Sequence, residues 1–326
     1  MATRALAGVG ERPPRYVRLW AVLGVLAISL SAVWVRLAAA PPETAAFLRM
    51  AYALPALVLL WLPVRRGDRR DRSERLLAVA AGAVLAVDLT LWHRSIGLIG
   101  AGLATVLGNT QVVFVGAAAW LLHRERPTLL ARALVPGVFA GVALISGLGL
   151  PEAYGVDPVM GAVFGLLTGI SYSTFLLVFR ASNRSLAPAV GPLLDATVGA
   201  ATTALVLGLA DSGLRLDLAL RSHLWLAALA LGSQVLGWLL ISRALPRMAA
   251  LDTSVMLLLQ PLAAVLWGRL VFAETMSPVQ WAGVVLVLAG VGLLSLKGSV
   301  EPAPVRAPES PRPSSHGAPS GESSPP

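Results

Sequence analysis

The sequence of 326 residues has no cysteine, a single lysine (Lys297) and only 13% charged residues. Without cysteine there is no disulfide framework, no thiol nucleophile and no thiolate metal site. A soluble domain carries roughly 25% charged residues. Half that share cannot cover a water-facing surface, so a water-soluble globular protein is excluded. Acidic residues are scarcer than basic ones, 17 against 26, for a net charge of +9. The arginines form no stripe interleaved with aromatics, and no nucleic-acid partner is expected. There is no glycine-rich nucleotide loop, no His-Glu-x-x-His pair and no Gly-x-Ser-x-Gly elbow, hence no ATPase motor and no sign of an enzyme. His93, His123, His223 and His316 are expected in loops or the tail, unsuited to a shared metal. Neither a metal nor a cofactor is expected.

Apolar sequence is plentiful instead, at 56% hydrophobic residues. A membrane helix needs about 20 such residues to cross a hydrocarbon core of roughly 30 Å. Ten blocks qualify, at 18–37, 45–63, 76–94, 99–122, 129–148, 158–179, 189–210, 223–242, 249–271 and 278–297. Polar or proline-rich breaks separate most of them, such as Pro41-Pro42-Glu43 and the 65–75 arginine run; the break at 95–98 is weak. The fold class expected is therefore all-α integral membrane, with ten transmembrane helices. Ala38-Ala39-Ala40 resembles a signal-peptidase site, but the preceding stretch is long for a signal peptide and is kept as a span. Residues 298–326 are rich in Pro and Ser and read as a disordered tail. With the N-terminal segment 1–17 placed in the cytoplasm, 20 basic residues fall inside and 5 outside. That asymmetry is a strong positive-inside signal and puts both termini in the cytoplasm.

Self-comparison adds a repeat. Shifting the chain by 149 residues superposes Gln111 on Gln260, Glu125 on Glu274, Arg94 on Arg243 and Ser146 on Ser295. A shift of 142 superposes Ser29 and Ser31 on Ser171 and Ser173. Five spans are thus duplicated, and because five is odd the second copy enters the membrane inverted. Inverted repeats are the architecture of many secondary transporters, with the binding site at their interface.

Several short motifs recur in a fixed order: Pro42 with Phe47-Leu48-Arg49, the stretch Ala101–Gln111, and Leu121–Glu125. The second half carries Leu259-Gln260-Pro261-Leu262 and Phe272-Ala273-Glu274. In order and spacing these resemble the drug/metabolite transporter superfamily, specifically proteins with two EamA domains, over residues 18–297. The chain departs from that pattern at Val112, where a proline is common, and offers Asp195 rather than an arginine near the counterpart of Arg49. The resemblance implies two inverted five-helix repeats, 18–148 and 158–297, in the inner membrane. It also implies alternating-access transport of a small polar metabolite, an amino acid or related compound, in the direction of export.

The candidate site follows from depth. Asn109, Gln111, Tyr172, Gln234 and Gln260 fall near the midplane, where polar side chains must face other helices or a wet cavity. Ser29, Ser31, Ser171 and Ser173 lie there too but can bond to their own helix backbone. Arg49, Asp88 and Asp195 are charges inside spans; Asp88 lies roughly 18 Å into the core, too deep to snorkel, and is the candidate for proton coupling or for a substrate ammonium group. Static pairing of Asp88 with Arg49 is the plainer alternative. Trp92 and Trp238 either stack on substrate or belong to the interfacial belt. Glu125 and Glu274 are expected to cap the helix that follows each, as gates on opposite faces, and Pro261 to bend the ninth span. Small-residue faces at Gly161, Gly165, Gly169 and at Gly137, Gly141 read as close packing, the latter pair as a dimer contact if the protein is not a monomer. A scaffold would lack a midplane polar cluster, and a membrane enzyme would need clustered ionisable residues near one interface.

The arginine asymmetry makes a direct forecast. Reporter fusions after Arg72, Glu125 and Arg184 should read cytoplasmic, and fusions after Pro151 and Leu216 external. A cytoplasmic signal after Pro151 with an external one after Arg184 would overturn the inverted arrangement.

Overall fold

The computed structural model describes residues 15–123, 127–147, 152–184, 188–244, 248 and 250–297, and all of its regular elements are helices. Seven segments are long and apolar enough to cross a membrane: Tyr16–Ala38, Pro42–Trp61, Arg72–Gly108, Pro158–Ala181, Val190–Ala210, Leu220–Ala244 and Pro278–Leu296. Three shorter apolar helices, Gln111–Leu122, Leu129–Ile145 and Met256–Phe272, accompany them. The chain is a multi-pass membrane protein. Glu125 and the tail lie outside the described residues.

In chain order the helices are α1 (Arg15–Ser29), α2 (Ser31–Ala38), α3 (Pro42–Trp61), α4 (Arg72–Gly108), α5 (Gln111–His123), α6 (Leu129–Ile145), α7 (Pro158–Ala181), α8 (Val190–Ala210), α9 (Leu220–Ala228), a π-helical turn (Leu229–Gly237), α10 (Trp238–Ala244), α11 (Ala250–Phe272) and α12 (Pro278–Lys297). Several starts are written locally. Asp71 and Glu74 form a capping box on α4, Asp157 accepts the Met160 N–H with Pro158 opening α7, and Thr128 accepts the Ala131 N–H of α6.

The structure redraws four expected features. Residues 95–98 do not interrupt the helix, because nothing there breaks a turn. The chain reverses instead at Gly100, whose φ of 83° a side chain would resist. What reads as one fourth span is two limbs, 101–108 and α5, separated at Asn109-Thr110. The eighth span is not a plain α-helix but α9, the π turn and α10. Pro261, expected to bend the ninth span, lies inside the continuous helix α11, as Pro55 does in α3 and Pro136 in α6. His93, expected in a loop, is buried inside α4, where its Nδ1 lies 3.2 Å from the Pro42 carbonyl.

Glycine sets the closest approaches. α4 and α8 run parallel: Arg70 meets Asp195 at 2.8 Å near one end, and Arg94 meets Asp211 at 2.7 Å near the other. Between these points Gly82 rests on the Ala196 carbonyl and Gly199 on that of Val79, so a methyl at either would overlap backbone. Gly161, Gly165 and Gly169 of α7 pack on Ile99, Leu107 and Thr110, which is the close-packing reading of that face. Gly141 lies against Gly283 of α12, while Gly137 faces open space.

The two ends of the bundle are tied differently. At the arginine-rich end Arg70 joins Asp68 (2.9 Å) and Asp195, and its guanidinium holds the Asp68 carboxyl below the usual carboxylate range. At the opposite end, bonds between the two halves are denser. Arg94 bridges Glu43 (2.5 Å) and Asp211, Thr44 donates to the Gly213 carbonyl and accepts the Arg215 N–H, and Gln280 donates to the carbonyls of Ile145 and Tyr154.

Candidate functional site

Midway along the bundle a cavity of about 600 Å³, measured with its mouth, opens between the two halves of the chain. Its wall includes Arg49 of α3, Asp88 and Trp92 of α4, Asn109, Gln111, Tyr172 of α7, Trp238 of α10 and Gln260 of α11. Eight of the residues singled out by depth and chemistry are therefore brought together in one place. On α4, Leu85, Asp88, Leu89 and Trp92 all line the wall, a spacing of 3, 4 and 7 residues that defines one helical face.

Arg49 is 5% exposed, and its guanidinium meets only neutral groups. Its Nε donates to Gln234 Oε1 (3.3 Å) and its Nη2 to Ser233 Oγ (3.5 Å), while Ser233 also bonds Ser31 Oγ at 3.0 Å. Ser233 and Gln234 are consecutive, and the wide π turn is what lets both reach the same guanidinium. Asp88 is 4% exposed, and its Oδ1 has no hydrogen-bond partner; nor has Gln111 Oε1 or Gln234 Nε2. Arg49 and Asp88 are not within the 4.0 Å of an ion pair, with each other or with any described residue. Arg49 and Asp88 thus face the same cavity without direct contact. Towards the arginine-rich end, Tyr172 stacks on Phe175 (5.7 Å), Phe175 on Phe179 (5.3 Å), and Trp238 meets both edge-on. Trp92 and Trp238 thus belong to the cavity.

Other candidates fall elsewhere. Asp195 pairs with Arg70 at the bundle end, away from the cavity. Gln234 stands behind Arg49 rather than in the wall, and Pro261 is buried beside Gln260 without lining it. Ser29 and Ser173 bond back to the Leu26 and Ile170 carbonyls, as short hydroxyls do. Ser31 does the same to Ile28, yet also lines the cavity. Ser233, Thr105 and Thr168 were not singled out in the sequence, although Thr168 stands four residues before Tyr172 on the same face of α7.

Glu274 corrects an expectation. It does not cap the following helix α12, because Ser277 and Gln280 already form a reciprocal cap there. Its buried carboxylate instead accepts the Ala101 (2.7 Å) and Gly102 (3.1 Å) N–H groups, the freed donors that follow the Gly100 reversal. Arg36 closes on the same carboxylate at 2.5 Å and stacks over Phe272. One side chain of the second half thus ties α2 and the 101–108 limb to the end of α11. Among the described residues no group of three potential ligands can hold a metal.

Comparison with known proteins gives the family and the fold. The model of the EamA-like transporter family matches twice, at residues 16–147 and 159–296. An uncharacterized protein of Pseudomonas aeruginosa is 31% identical over 295 residues, 86% of this chain and 95% of its own. Shorter likenesses join the chain to a probable 4-amino-4-deoxy-L-arabinose-phosphoundecaprenol flippase subunit ArnE of Pseudomonas fluorescens and an uncharacterized transporter of Synechocystis. The first is 45% identical over 71 residues, 22% of this chain and 60% of its own. The second is 30% identical over 115 residues, 34% of this chain and 33% of its own. A solved crystal structure shares the fold with a TM-score of 0.56 at 15% identity, over 88% of this chain and 98% of that one.

An unpartnered buried carboxylate costs stability, so Asp88→Asn, which keeps size and removes charge, should melt at or above the parent temperature in detergent. A loss of more than about 1 kcal/mol, the size of a broken hydrogen bond, would show that Asp88 is structurally paired.

Proposed function

The chain belongs to the EamA-like transporter family, and from that premise we propose that it is a secondary transporter for a small zwitterionic metabolite, an amino acid or a close relative. The observation that carries this is the cavity with a guanidinium and a carboxyl group on its wall, neither in a direct ion pair. A guanidinium held only by neutral partners is an acceptor site for a carboxylate, and a carboxylate with a free oxygen is a site for an ammonium. A zwitterion satisfies both at once and leaves with both, so neither charge is stranded in hydrocarbon. The amides of Asn109, Gln111 and Gln260 and the rings of Trp92, Tyr172 and Trp238 supply orientation and apolar contact for the remainder.

Movement would follow from the repeat. Ten crossings, counting the 101–108 limb with α5 and the α9–α10 segment as one each, form two five-helix repeats of opposite sense around the cavity. The parallel run of α4 beside α8 fits that count. The cross-linked end carries Glu274, so the account assigns the Arg36–Glu274–Ala101 contact to the gate on that face. Arginine placement makes that face external and both termini cytoplasmic in an inner membrane; release there would be export. Asp88 is positioned to take up a proton when the ammonium leaves, which would couple transport to the proton gradient.

Counterflow in vesicles holding the purified protein tests the reading. A radiolabelled amino acid should exchange, whereas the matching decarboxylated amine and deaminated acid should exchange at least tenfold less, a difference of about 1.4 kcal/mol. Arg49→Met and Asp88→Asn should each lower the exchange by a similar factor. Equal exchange of the decarboxylated amine would remove the carboxylate role of Arg49, and no exchange of any zwitterion would remove the reading.

A further inference from the structure

A second cavity lies apart from the first. α5 and α6 are consecutive in the chain, yet α5 packs on α7 and α6 on α12. The gap between them, about 730 Å³ with its mouth, is walled by Val113, Gly116 and Ala117 of α5, Val135 of α6 and Leu294 of α12. Val113, Ala131 and Leu294 are buried, so these walls are interior surface rather than an outer face. The single charged wall residue, Arg132, is exposed and stands with the half-exposed Trp120 towards the arginine-rich end. Arg132 has no ion-pair partner among the described residues.

We propose that this cavity binds one acyl chain of a phospholipid, with the lipid phosphate on Arg132. Water has no polar partners on such walls, and an unfilled space would forfeit the dispersion contacts of every residue lining it. The bilayer presents hydrocarbon chains at this depth. The order of chemistry along the cavity is that of a lipid: apolar inside, an interfacial tryptophan, then a cation at headgroup level. Charge complementarity with Arg132 singles out an anionic lipid. The small side chains at Gly116 and Ala117 make the space. The site is independent of the substrate cavity, although Gln111 of the same α5 lines the latter.

The test uses the full chain in nanodiscs containing phosphatidylglycerol with a photoreactive acyl chain. Labelling should map to Val113, Ala117 or Val135. Ala117→Trp fills the cavity and should reduce labelling about tenfold, equivalent to about 1.4 kcal/mol, with the melting temperature unchanged or raised; Ala117→Met provides a gentler variant should the larger ring unfold the protein. Arg132→Glu should reduce labelling by phosphatidylglycerol but not by a photoreactive diacylglycerol, which lacks the phosphate. Millimolar inorganic phosphate should not compete, since a chain in the cavity, and not an ion at the rim, holds the ligand. Undiminished labelling of both Ala117 variants would overturn the proposal. So would competition by inorganic phosphate alone, or a cross-link between two copies through Val135, which would make the cavity a dimer contact.

Discussion

Charge in hydrocarbon is costly, about 2.5–3.5 kcal/mol for one arginine or aspartate at the centre of a membrane helix. The usual remedies are to pair the charges or to snorkel them to an interface. Arg49 and Asp88 do neither: they share one cavity wall, lie beyond ion-pair distance, and are buried. The surroundings are built around that arrangement. Arg49 is fixed by Gln234 and Ser233, and Ser233 is fixed by Ser31. These partners come from α2 and the π turn and hold the guanidinium of α3 without an ion pair. A cation and a carboxyl group held apart on one wall, each without a direct ion-pair partner, form the arrangement from which the proposed zwitterion site is argued.

Two of the crossings that line the cavity are irregular. The fourth is interrupted at Gly100 and Asn109-Thr110, and the eighth passes through a π turn. Backbone of this kind is tolerated in a membrane where it is buried in protein or lines a wet space. The Gly100 reversal has partners on both sides. Leu98 O accepts the Val156 N–H just before the Gly100 reversal, and the Glu274 carboxylate accepts the N–H groups just after it. The π turn delivers two adjacent polar side chains to one target.

Much of this was legible in the sequence, for physical reasons that differ by feature. Hydrophobic length located the crossing segments because hydrocarbon tolerates few charges, and depth singled out Asp88 as too far in to snorkel. Depth alone found most of the wall, since Asn109, Gln111, Tyr172 and Gln260 have no other reason to be apolar-embedded. What the sequence hid were long-range pairings. Nothing local tells that Glu274 reaches across 172 residues to Gly102 rather than to its own following helix, although the Ser277-Pro278-Val279-Gln280 capping signature was readable. Ser233 escaped notice because an α-helical count puts it on a different face from Gln234. Asp195 reads as a site residue because it is a charge inside a span, and its partner Arg70 is separated from it by 125 residues.

In the proposed transport cycle, access to the midplane cavity is controlled from the end of the bundle that carries Glu274. The absence of native cysteine allows a single one to be placed at Thr168, in the cavity wall, and probed with a membrane-impermeant maleimide from each side of oriented vesicles. The account requires labelling from the cytoplasmic side in the otherwise native chain, with external labelling appearing when Glu274→Gln is added. Equal labelling from both sides without that change, or external labelling that Glu274→Gln leaves untouched, would contradict it.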